Sequence, residues 1–233
     1  MKQIIFILSI SLLFSSCTSI TGSGRIIREK RQTGDFNGIS VSGGIDVELK
    51  QGTSTSVDVE ADDNLVNHIE TRVEGSVLKI GHQGINNVVN AHMKVYVSAP
   101  FINMLRSSSA SGIEVKDVLR SDGKISLNSS SAAYIHVQVN APEVVADASS
   151  GASLDLSGKT KTYSANSSSG ANIKSSDLLS ENTEASASSG GSAHVHASIS
   201  LNVNASSGGH ITYYGAASVR SSVSSGGSVE KGN

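Results

Sequence analysis

The chain has 233 residues, a formal net charge of -2, 4% aromatic residues, no Trp, two Pro and one Cys. That length allows one or two domains. The balanced charge excludes the basic stripe that a nucleic-acid binder needs, and the lone cysteine excludes an internal disulfide.

In chain order, the first element is an export signal. Lys2 supplies a small positive region, and Ile4 to Phe14 form an apolar run too short to span a bilayer as a mature helix. Residues 1–16 therefore read as a signal peptide. The segment Leu13-Phe14-Ser15-Ser16-Cys17 resembles the lipobox of bacterial lipoproteins, with Phe14 where a smaller aliphatic residue is more usual. Cys17 is the expected lipidation point; the alternative is an ordinary secretory signal with an incidental cysteine. Several acyl chains would anchor the protein firmly. Residues 17–24 read as a lipidated, flexible tether, and 25–233 as one elongated domain.

Residues 25–100 contain strands of lower regularity. Ile39 to Leu49 match, in shortened form, the repeat described next. Ser56 to Glu60 alternate as a strand, and Asp63 to Glu70 fit one or two helical turns capped by Asp62 or Asp63. Val73 to Ile80 read as a hairpin through Glu74-Gly75, and Lys94 to Ser98 as a strand stopped by Pro100. This segment is expected to cap strand edges that would otherwise lie open.

From residue 105 onward the sequence repeats. Small-residue turns stand at Ala110, Ala132, Gly151, Gly170, Gly190, Gly208 and Gly226, at spacings of 22, 19, 19, 20, 18 and 18 residues. One residue before each turn comes Ser109, Ser131, Ser150, Ser169, Ser189, Ser207 and Ser225. Two before it comes Ser108, Ser130, Ser149, Ser168, Ser188, Ser206 and Ser224. Three residues after the turns lie Ile113, Ile135, Leu154, Ile173, Ala193, Ile211 and Val229. A polar column follows, and then Val115, Val137, Leu156, Ser175, Val195, Tyr213 and Lys231. Five residues before the turns lie Leu105, Leu127, Ala146, Ala165, Ala185, Val203 and Ser221.

Period-two alternation in phase with a repeat is not the mark of a disordered linker; it marks strands with one buried face. One unit cannot bury that face alone, so units stack. The predicted fold is all-β: a single-stranded parallel, right-handed β-helix of seven to eight Ser/Gly-cornered rungs, with an irregular β cap at its N-terminus. Seven rungs at strand spacing make a rod roughly 30 Å long. A left-handed hexapeptide helix needs an aliphatic residue every six, and calcium-binding nonapeptide repeats need a recurring Asp; neither pattern occurs.

Residues with chemical potential are few. His194 and His196 share one strand face and could begin a metal site, but His136 lies three rungs from His194, so the expectation is surface histidines and no metal. His210 is expected to face solvent. Asp147 and Asp155 flank a corner with Glu143 nearby in sequence, the raw material of a polysaccharide-active site, yet only Arg120 and Arg220 supply guanidinium after residue 107. No triad or nucleophile-elbow pattern appears. The serine hydroxyls are expected to satisfy backbone groups at the corners; the alternative is a flat hydroxyl array that binds a glycan or ice.

Asp35-Phe36-Asn37-Gly38-Ile39-Ser40-Val41-Ser42-Gly43-Gly44-Ile45-Asp46-Val47 resembles the auto-transporter adhesin "head GIN" domain family of Bacteroidetes. So do Glu60-Ala61-Asp62-Asp63-Asn64-Leu65, Leu78-Lys79-Ile80 and the Ser-Ser-Gly-Gly-Ser blocks. The resemblance covers about residues 30–231. It departs where family members often carry Asp, at Ala193, Ile211 and Val229. It implies an exported β-helical protein with an adhesin-like role. The combined expectation is a structural or adhesin-like binding module without catalysis or cofactor, held in the cell envelope as an outer-membrane lipoprotein. Its partners would be the membrane, through lipid on Cys17, and a glycan or another envelope protein. The alternative is a polysaccharide-binding or polysaccharide-active β-helix.

Overall fold

A computed structural model describes residues 19–85 and 87–233. Residues 1–16, expected to be a signal peptide, and Cys17 lie outside the described residues. The fold is a parallel β-helix whose coils stack two main strands on either side of one corner. The first stack runs Gly38–Val41, Met104–Ser107, Lys124–Ser129 and Glu143–Ala148. It continues through the second halves of Ser153–Ser167 and Asn172–Ala187 to Ser200–Ala205 and Ser218–Val223. The second stack runs Asp46–Gln51, Gly112–Val115 and Tyr134–Asn140, then the first halves of the two long strands. It ends with Ser192–His196, His210–Tyr214 and Ser228–Lys231. Leu119–Arg120 and residues 139–140, 158–160 and 178–180 add a short third side.

The apolar columns pair residue on residue. Ile39, Leu105, Leu127, Ala146, Ala165, Ala185, Val203 and Ser221 are successive partners in the first stack. Val47, Ile113, Ile135, Leu154, Ile173, Ala193, Ile211 and Val229 are partners in the second. Six full coils separate the corner at Ala110 from that at Gly226, and Gly43-Gly44 makes an eighth corner below them. The uneven spacing has a local cause. The coil of 20 residues carries a register shift between the pairs Asp155–Lys174 and Ser157–Asp177, a β-bulge that absorbs one extra residue.

The N-terminal end is closed by antiparallel strands. Ile26–Arg31 pairs with Ser56–Asp62, which pairs with Met93–Ala99 beneath the second stack. The hairpin Ile69–Glu74 and Val77–His82 closes the first stack, turning through Gly75 and Ser76 at φ 55° and 65°. The expected helix over 63–70 is a single 3-10 turn, Val66–His68, with no side-chain cap. Asp62 is spent elsewhere: its buried carboxylate accepts the N–H groups of Gly24 and His92, each at 2.7 Å. The expected flexible tether is also docked from Ser19 on. Ser19–Thr21 pairs with Asn87–Val89, and Asn64 donates to the Thr21 carbonyl at 2.9 Å.

Ser175 is the one small polar residue in its column between Val115 and Tyr213, for a reason found across its own corner. Tyr163 is wholly buried between Val144 and Thr183, and its phenol needs a partner inside the core. Tyr163 donates to Ser175 Oγ at 2.9 Å, and Ser175 donates to the His194 carbonyl at 2.6 Å. Burial pushes the Tyr163 phenol pKa far up, so the ring stays neutral.

In the cap, Lys94 donates to Glu48 at 2.9 Å while its ammonium also lies 4.9 Å from the Tyr96 ring centre. The hydrogen bond from Lys94 holds the Glu48 carboxyl below its ordinary 4.5. The ionised pair therefore stabilises the fold above that pH, and the contribution is lost as pH falls through the lowered value.

Two outcomes follow. Ser175→Ala should cost about 1–3 kcal/mol in denaturant unfolding by leaving the buried phenol unpaired, and adding Tyr163→Phe should recover part of it. Glu48→Gln should flatten the acid limb of the stability profile between about pH 5 and 3 relative to wild type, read as unfolding midpoint against pH.

Candidate functional site

Each corner is a four-residue turn whose two central residues are left-handed. Ser109, Ser131, Ser150, Ser169, Ser189, Ser207 and Ser225 have φ between 48° and 54°. The residues after them follow suit, Ala110 and Ala132 at 58° and 60° and the five glycines at 71–73°. A backbone bond closes each turn, from Ser111 N–H to the Ser108 carbonyl at 3.3 Å through Gly227 N–H to Ser224 at 2.9 Å. These are the φ signs and the bond of a type I′ turn. A left-handed serine column is not announced by residue type, since Ser is not a usual left-handed residue.

The corners also bond along the stack. Ala110 N–H donates to the Ser131 carbonyl at 2.9 Å, Ala132 to Ser150 at 3.0 Å, Gly151 to Ser169 at 3.1 Å, and so on to Gly208 and Ser225 at 3.2 Å. Ser130, Ser149, Ser168 and their equivalents donate their N–H to the carbonyl three residues before the turn of the preceding coil, each at 3.0 Å. Backbone thus satisfies backbone. The expectation that the fourteen hydroxyls do this is corrected: among the described residues they take no hydrogen-bond partner. The hydroxyls that do serve the corner lie inside it, one position earlier. Ser107 and Ser167 donate to the Ser111 and Ala171 carbonyls, both at 2.8 Å.

What results is a surface. The column one before the turn is exposed at every coil, and the column two before it is half-buried in all but the last. Beside these serines runs a shallow groove of about 260 Å³, lined by Arg106, Asn128, Asp147 and Asn166 with Ser130 and Ser168. Asn166 donates to Asp147 at 2.9 Å, so part of the groove is already ordered.

The other residues singled out do not converge. Asp155 lies around the corner from Asp147 and faces His136 at 3.6 Å. Glu143 starts its strand, exposed, two pairs before Val145. His194 and His196 share the strand face opposite buried Val195; both are half-buried, and His196 Nδ1 is enclosed without a hydrogen-bond partner. No group of three His, Cys, Asp or Glu side chains among the described residues could hold a metal ion. His210 is tied rather than free, with Ser228 Oγ at 2.6 Å and Glu230 at 3.2 Å. Such a surface can present hydroxyls, amides and a few charges to a partner; its carboxylates are engaged one by one. No helix among the described residues is long and apolar enough to cross a membrane.

A family profile described as putative auto-transporter adhesin, head GIN domain, matches residues 35–217. Solved structures share the fold. One described as a putative adhesin from Bacteroides fragilis is 20% identical with a TM-score of 0.81, covering 91% of this chain and 98% of its own. A putative adhesin from Parabacteroides distasonis is 23% identical with a TM-score of 0.75, over 92% and 100%. A putative lipid binding protein from the same species is 19% identical with a TM-score of 0.77, over 93% and 100%. No curated protein matches the chain.

The corner makes a sharp pair of demands. At Ala110 and Ala132 the side chain is strained by φ alone, so Ala110→Gly and Ala132→Gly should each stabilise by about 1 kcal/mol. One residue later the later coils need glycine for space: a Cβ on Gly209 would run into the Ala187 carbonyl. Gly209→Ala should cost about 2–3 kcal/mol. Chemical unfolding of the three variants checks both signs.

Proposed function

This chain belongs to the putative auto-transporter adhesin, head GIN domain family, and we propose that it is an exported, lipid-anchored, adhesin-like binding module of the cell envelope. Two features support export and anchoring: the signal-like residues 1–16, and a lone cysteine directly after them. The docking of Ser19–Thr21 on the cap supports a short leash. Acyl chains on Cys17 hold the capped end at the outer membrane, and the coils project away from it. The corner surface then stands clear of the bilayer.

A binding role without catalysis rests on one observation above all. The same serine corner recurs seven times with its hydroxyls unspent by the fold, while the carboxylates beside it are engaged separately. Reaction chemistry needs a unique cluster, whereas multivalent attachment is served by repetition.

Metabolic labelling with a clickable fatty acid tests the anchor. The full-length protein should take up label and partition with outer membranes, and Cys17→Ser should remain unlabelled and leave the membrane fraction. Equal labelling of the two contradicts the reading.

A further inference from the structure

Away from the serine corner, Phe101 stands in solvent. Of the two phenylalanines among the described residues, Phe36 is buried and Phe101 is 76% exposed. The ring lies between two depressions. One, of about 480 Å³, is lined by Phe101, Asn37, Asn103, Arg120, Asp122 and Lys124. The other, of about 410 Å³, lies on the side of Phe36 and Pro100. An aromatic face flanked by amides and charges offers a ligand one apolar surface and several polar groups that can fix its orientation.

The site is held in place. Gln51 sits at the end of its strand and clamps both segments. Its amide donates to the carbonyls of Pro100 and Arg120, each at 3.0 Å, and accepts the Arg120 N–H at 2.8 Å. The residues carrying the ring and the guanidinium are therefore fixed to one another before any ligand arrives. Among the described residues, neither Arg120 nor Lys124 forms an ion pair, and Asp122 pairs with neither. The cleft lining therefore carries two cations without an ion pair and one carboxylate, with Glu143 exposed as the register partner of Lys124 on the neighbouring strand.

We propose that the Phe101–Arg120 cleft binds a saccharide carrying a carboxylate, a uronic or sialic acid unit. This rests on the binding-module reading above and names its ligand class. The flat carbon face of a pyranose stacks on Phe101. The carboxylate takes the fork of Arg120 and the ammonium of Lys124, for which guanidinium geometry is suited. Asn37 and Asn103 offer paired donor and acceptor groups for ring hydroxyls.

Calorimetric titration of the purified protein tests this with two acids and their neutral counterparts. The probes are trigalacturonate against its methyl ester, and sialyllactose against lactose. At least one acid should bind about tenfold or more tightly than its counterpart, and which one separates uronic from sialic recognition. Phe101→Ala and Arg120→Ala should each weaken that binding about tenfold or more while leaving the unfolding midpoint within about 2 °C, because both side chains are exposed. Failure of both acids to bind overturns the proposal. So does equal binding of acid and neutral probe. Binding that survives both substitutions places the ligand elsewhere on the module, which overturns this site and leaves the binding role standing.

Discussion

The whole stack depends on the chain turning the same corner the same way at each coil. Parallel strands gain their ladder bonds only if successive coils lie in register, and register is kept by backbone that repeats atom for atom. Two consecutive left-handed residues achieve the turn, and such residues cost about 1–2 kcal/mol each when they are not glycine. The offset is local. Each serine corner closes its own turn bond and donates one N–H down the stack, and all but the last donate one up it, so the strained pair is over-determined by backbone. Everything else about the molecule, from the buried ladders of Ile, Leu and Ala to the exposed serine face, inherits its alignment from that turn.

This reverses the natural reading of the serines. A hydroxyl column at a tight turn invites the view that it satisfies stray backbone groups. The turn closure and the bonds between coils are made by backbone groups alone, and the serine hydroxyls take no part in them. The inner serines, Ser107 and Ser167, do the internal capping, and they differ from the repeat serines only in standing one position earlier. A surface left unspent at each coil is what a binding protein needs, and it sits at the opposite side of the economy from Ser175, whose hydroxyl is consumed by the buried Tyr163 phenol.

Much of the fold was legible because its signal is periodic. The columns through Leu105 and Ile113 could be read off by counting, and the structure pairs those residues one on one. Ile39 to Leu49 were recognisable as a further coil for the same reason. Aperiodic features were not legible. The helical pattern after Asp63 is reduced to one 3-10 turn because both expected caps are held elsewhere, Asp62 by the Gly24 and His92 amides and Asp63 by the Ser23 hydroxyl, contacts 38, 30 and 40 residues away in sequence. The docking of Ser19–Thr21 depends on Asn87–Val89, more distant still in sequence. The left-handed serines were invisible because no residue-type preference announces them. The Phe101–Arg120 cleft went unseen because Gln51 assembles it from three separate stretches of chain.

The central claim is that the corners are held by backbone bonds running up the stack and that the hydroxyls there are idle. Amide hydrogen exchange, followed residue by residue by NMR, tests it most directly. Ala110, Ala132, Gly151, Gly170, Gly190 and Gly208 lie in exposed turns, yet each donates its N–H to a serine carbonyl of the next coil. These amides should be protected to about the level of the buried strand amides beside them. Exchange at the rate of open loops would mean that the corners are not bonded along the stack, and would contradict the account.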